Sequence, residues 1–74
     1  MCVMIFWKRL GSQGRTHQFS IEHSPQSGWI ACEQYDSSTH TNLIHDWRRV
    51  ELAMGIFELK ALELRNQGWS EHGT

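Results

Sequence analysis

Five histidines and two cysteines are the side chains of this sequence most suited to holding a metal ion. Their spacing argues against that use. His17 and His23 fall on one side of an extended segment, but six residues in a strand cover about 20 Å at roughly 3.3 Å per residue. They cannot share an ion. His40 and His45 match neither the four-residue step of a helix nor the two-residue step of a strand face. Neither Cys-x-x-Cys nor His-x-x-x-His occurs, so the usual zinc-ligand spacings are missing. A cross-strand set drawn from His17, Cys32 or His40 is the one arrangement the spacing leaves open. The expectation is no metal and no cofactor.

Nucleophilic catalysis would need Cys32 or a serine beside a base, with a third group orienting that base. No Gly-x-Ser-x-Gly elbow, paired carboxylates or phosphate loop is present. A chain of 74 residues also has little room for both a core and a deep pocket. No catalytic residue is therefore assigned, and the chain is read as non-enzymatic.

The basic residues carry a second kind of chemistry. Lys8, Arg9 and Arg15 stand in an N-terminal stretch without acids, whereas residues 16–46 hold four acids and no Lys or Arg. Arg48 and Arg49 follow Asp46 at the expected start of a helix, where the dipole favours negative charge. Such a placement could serve a phosphate, met by free N–H groups and guanidinium forks. Trp7, Trp29 and Tyr35 could add stacking surfaces on an open sheet face. Against this, the net charge is −1, which is not the basic footprint of a dedicated nucleic-acid binder. The preferred reading pairs Arg48 and Arg49 with Asp46, Glu51 or a second copy of the chain. Binding of a nucleic acid or phosphate through Lys8, Arg9, Arg15, Arg48 and Arg49 stands as the alternative.

The elements that must position these residues follow from periodicity. Cys2–Leu10 is β-branched and aromatic and predicts a strand, with Val3, Ile5 and Trp7 on one face and Met4, Phe6 and Leu10 on the other. Gly11–Gly14 predicts a loop. In Thr16–His23 the residues His17, Phe19, Ile21 and His23 alternate with polar ones, the pattern of a half-buried strand. Ser24–Gly28 predicts a turn, and Trp29–Asp36 a third strand that pairs with the second as a hairpin. Thr39–His45 is read as a fourth strand rather than an early helix start, because Thr-His-Thr-Asn is poor helix material. Asp46 then caps a helix from Trp47 to Gln67, and Gly68 closes it. Trp69 is placed back against the last turn, and residues 70–74 are read as a short tail.

Plotted at about 100° per residue, the helix has two apolar faces. Trp47, Val50, Met54, Phe57, Ala61 and Leu64 form one stripe suited to packing on the sheet. Leu52, Ile56, Leu59 and Leu62 lie nearly opposite, with Gly55 at the edge of their patch. A helix that covers a single sheet is expected to be polar there. Burying such a side chain fully is worth about 1.5–3 kcal/mol, so the patch calls for a cover. A second copy or another protein is the preferred cover, and the apolar run Val3–Phe6 of the same chain is the alternative.

The pattern Ala53, Phe57, Lys60, Gly68-Trp69 after a small meander is similar in layout to WGR-type modules, which bind DNA ends. The Trp-Gly-Arg triplet of those modules is absent, so no functional residue is carried over from the resemblance.

These readings converge on an α+β domain: a three- or four-stranded antiparallel meander packed against one long C-terminal helix. Residues 1–69 form the domain and 70–74 the tail. The run Cys2–Trp7 precedes Lys8 and Arg9, the reverse of signal-peptide order. No stretch reaches the roughly 20 apolar residues of a membrane span. Two cysteines without Cys-x-x-Cys spacing read as reduced thiols, so a soluble, cytoplasmic protein without membrane attachment is expected. Its expected role is that of an interaction module, a homodimer or an adaptor for another protein, working through Leu52, Gly55, Ile56, Leu59 and Leu62.

Overall fold

Alternating and β-branched residues build the sheet, and the Leu-, Glu- and Ala-rich stretch after Asp46 builds the helix that covers it. The computed structural model describes residues 3–71. The expected strand start at Cys2 and the tail residues 72–74 lie outside the described residues. The elements are β1 (Val3–Ser12), β2 (Arg15–Ser24), β3 (Gly28–Tyr35), β4 (Ser38–Ile44), α1 (Trp47–Asn66) and β5 (Ser70–Glu71). The fold is α+β. β1 to β4 form an antiparallel meander, and β5 joins the far edge to give the order β4-β3-β2-β1-β5.

Local chemistry accounts for the junctions. The loop expected at Gly11–Gly14 shrinks to Gln13-Gly14, because Gly11 and Ser12 continue β1 opposite Thr16 and Arg15. In the next hairpin the Ser27 N–H donates to the Ser24 carbonyl at 3.2 Å, and Gly28 follows with φ of +92°. A side chain at Gly28 would be strained by that backbone. Its Cβ would also meet the Ile44 carbonyl oxygen at 2.5 Å. Asp46 caps α1, accepting from the Arg48 N–H at 3.2 Å. At the other end the Gly68 N–H reaches the Arg65 carbonyl and the Trp69 N–H the Leu64 carbonyl, both at 3.0 Å. This is the paired Schellman closure, with Gly68 in the left-handed region at φ +100°.

Two features depart from the sequence reading. A β-bulge between Met4 and Phe6 adds Ile5 to β1. Val3 therefore stands opposite His23 on the helix side, whereas Trp7 stands opposite Ser20 on the open side. The single face expected for Val3, Ile5 and Trp7 is broken by that extra residue. Ser70 and Glu71, read as tail, instead pair with Gly11 and Leu10 of β1. The Gly68 closure turns the chain back toward the sheet, and the edge of β1 is open to receive it.

The core lies between the sheet and one stripe of α1. Leu10, Phe19, Ile21, Ala31 and Ile44 meet Val50, Phe57 and Ala61. The Phe19 and Phe57 rings lie 4.9 Å apart, and Phe6 joins Phe57 at 6.0 Å. Met54 and Leu64 are partly buried against this cluster. Trp47, expected in the same stripe, is 48% exposed at the start of the helix. There it rests on Trp29, ring to ring at 5.7 Å, rather than entering the core.

Candidate functional site

The surface that stands out is the outer stripe of α1. Leu52 is 65% exposed, Ile56 43%, Leu59 62% and Leu62 53%. Gly55 lies among them with open space where a side chain would project. The N-terminal run does not cover them. Val3, Met4 and Ile5 are themselves exposed in β1, and Phe6 packs on the inner side of the helix against Phe57. The intramolecular cover is corrected on this ground: pairing with β2 holds the run in the sheet. Beside the stripe, a groove of about 670 Å³ separates the helix from the end of β4, with Leu43, Ile44, Leu52, Ala53 and Ile56 in its walls. The groove extends the apolar surface toward the edge strand β4.

Burial of Val50, Phe57 and Ala61 sets which side of the helix faces out, and ion pairs on both flanks accompany it. On the β3 side the Lys60 Nζ donates to Glu33 Oε1 at 2.8 Å. On the β1 side Lys8 lies 3.3 Å from Glu58 and 3.6 Å from Glu71, and Arg65 also pairs with Glu71. Exposed pairs of this kind are each worth about 0–1 kcal/mol. They add modestly to that orientation, since they resist rolling of the helix over the sheet.

Register places the other candidate residues on different surfaces. Lys8 points to the helix side, level with Phe19, while Arg9 lies opposite Gln18 on the open face. Arg15 sits at the β1–β2 turn, 3.4 Å from Asp36 and over the rings of Tyr35 and Trp69. Arg48 and Arg49 begin α1, where the Asp46 carboxylate already accepts the Arg48 N–H and the Asp46 carbonyl accepts that of Arg49. The five basic residues are not brought together. Nor are the three aromatics: Trp7 is on the open face, but Trp29 and Tyr35, opposite His23 and His17, lie on the helix side. An open-face stacking platform of all three is therefore excluded by strand parity.

A polar cluster that the sequence reading missed lies between β2, β3 and α1. His17 Nε2 is 2.9 Å from Glu33 Oε2, and Lys60 holds the other oxygen of Glu33. Burial pushes the Glu33 carboxyl up, but hydrogen bonds from Lys60 and His17, with the charges behind them, outweigh it and hold the group below its ordinary range. Next to the cluster is a hollow of about 470 Å³ reached by Tyr35, Ser38, His40 and Leu64. His17 and His40 thus approach the same hollow. Cys32 is a free thiol on the opposite face, level with Ser20 and Thr41, and cannot join them. Among the described residues no three His, Cys, Asp or Glu side chains converge as metal ligands. Both oxygens of Glu33 are engaged, so the cluster acts as a clamp of helix to sheet. Its signal in the sequence was ionisable residues, His17 and Glu33, at positions that alternation assigns to the apolar face.

Among the described residues, no helix is long and apolar enough to cross a membrane. The fold and this surface define a small α+β domain with one uncovered helix face. Compared with protein-family models, curated proteins and solved structures, the chain matches none of them.

Proposed function

We propose that the protein is a non-catalytic interaction module that works as a homodimer through the outer stripe of α1. The observation that carries this reading is the exposure of Leu52, Ile56, Leu59 and Leu62 together on one helix face, with no cover from the chain's own N-terminal strand. Each of these side chains is about half exposed. At roughly 1.5–3 kcal/mol for full burial of each, covering the four in both copies returns roughly 6–12 kcal/mol. The association cost is about 4–15 kcal/mol, a range that overlaps this gain. A dimer held at micromolar concentration, about 8 kcal/mol of surplus, therefore needs a cost at the low end and further contacts such as the groove beside β4. A two-fold arrangement uses the same patch twice. The phosphate or nucleic-acid reading has less support, because its basic residues are dispersed over both faces and both ends of the sheet.

The test is Leu59→Glu. This side chain is exposed, so the variant is expected to keep its fold, seen as an unchanged far-ultraviolet circular dichroism spectrum, while its mass in light scattering falls to that of one chain. An unchanged mass for the variant and the parent alike would overturn the reading.

A further inference from the structure

We infer that the two copies pack their α1 helices antiparallel, with Leu59 of each seated over Gly55 of the other. This rests on the homodimer reading above and goes on to specify orientation and register. Leu52, Gly55, Leu59 and Leu62 recur at steps of three and four residues, the seam of a helix pair. Gly55 is the telling residue. A glycine inside an exposed helix costs about 1 kcal/mol relative to alanine, yet among the described residues nothing beyond the helix's own backbone comes within 4 Å of where its side chain would stand. No contact among the described residues requires it. A neighbouring helix carrying a leucine knob does.

Charge decides the direction. One flank of the seam carries Arg49, Ile56 and Glu63, and the other Glu51, Glu58 and Arg65. Each flank changes sign from one end to the other. In an antiparallel pair like flanks meet head to tail, so Arg49 approaches the partner copy's Glu63, and Glu51 approaches the partner copy's Arg65, which also pairs with Glu71 of its own chain. Ile56 meets its own equivalent at the two-fold axis. Glu58 also lies near that axis, where Lys8 at 3.3 Å, shared with Glu71, offsets part of its charge. Parallel packing instead sets Glu58 against the partner copy's Glu63 on both sides and offers no opposite-charge pair in return. Among the described residues Arg49, Glu51 and Glu63 have no ion-pair partner within the chain.

The experiment is disulfide trapping in the full chain with Cys2→Ser and Cys32→Ser, after the mass of the parent chain has been measured. One preparation carries Leu52→Cys and a second, of distinguishable mass, carries Leu62→Cys. Antiparallel packing brings position 52 beside position 62, while two copies of position 52 lie about 15 Å apart along the axis, beyond disulfide reach. The mixed 52–62 species is expected on mild oxidation, with same-position links absent. Links of 52 to 52 and 62 to 62 would show parallel packing and overturn the inference while leaving the dimer intact. A dimer by mass that yields no link would place the interface elsewhere and overturn it too. A parent chain that is monomeric removes both this inference and the reading beneath it. As a second readout, Glu63→Arg is expected to weaken the dimer several-fold, and adding Arg49→Glu to restore it. A double variant weaker than either single one would contradict the pairing.

Discussion

Glu33 is the residue on which the helix-to-sheet clamp turns. Its carboxylate binds His17 from β2 and Lys60 from α1 at once. Because the folded chain holds its pKa below the ordinary value of 4.5, the ionised form favours folding. That contribution is complete above the ordinary value and is lost as pH falls through the lowered one. Urea titrations across the acid range should therefore show stability declining below about pH 4.5. In Glu33→Gln the decline is expected to be shallower, with lower stability near neutrality because the ion pair to Lys60 is gone. An identical acid profile in both proteins would show that the clamp carries no charge-dependent stability. His17 adds a cost of its own: among the described residues its buried Nδ1 has no hydrogen-bond partner, a penalty normally avoided inside proteins.

At the scale of elements, α1 is two-sided, and its sides should respond differently to mutation. Phe57 is buried between Phe6 and Phe19, so Phe57→Ala is expected to cost about 3–5 kcal/mol. A single core in so small a domain supplies about that much in total, and the variant should be largely unfolded by circular dichroism. Leu59, two residues on, should tolerate Glu without loss of fold. The Asp46 cap belongs to the same scale. Asp46→Ala should lower stability by about 1 kcal/mol, read as a smaller urea midpoint at unchanged slope.

Legibility in the sequence followed the range of the interactions. The Ser24–Gly28 turn, the Asp46 cap and the Gly68 closure were readable because each depends on neighbours within a few positions. The fourth strand was readable from poor helix composition, and the two stripes of α1 from spacing alone. The bulge at Ile5 was not, because Val3–Trp7 is apolar throughout and alternation cannot set its register. β5 escaped notice because Ser70 and Glu71 have little strand character and pair only where the open edge of β1 meets them. Alternation marks His17 and Glu33 of the clamp as ionisable residues on an apolar face. Their meeting with each other and with Lys60 depends on β2–β3 register and helix placement, which no local pattern encodes. The exposure of Leu52, Ile56, Leu59 and Leu62 was legible because a helix on one sheet has only one face to bury.

For the whole molecule, the sheet and the inner stripe of α1 make one core, and the outer stripe remains in water unless another surface covers it. Burial of Val50, Phe57 and Ala61 turns that stripe outward, with the ion pairs to Lys8 and Glu33 beside it, and its flanking charges suit a second copy in reverse orientation. If so, stability should rise with protein concentration, since association draws on the folded chain alone. The most direct test is the solution mass of the unmodified chain, followed by sedimentation equilibrium from low to high micromolar concentration. A species of twice the 8.7 kDa chain mass, dissociating on dilution, is expected. A mass of one chain at every concentration would contradict it.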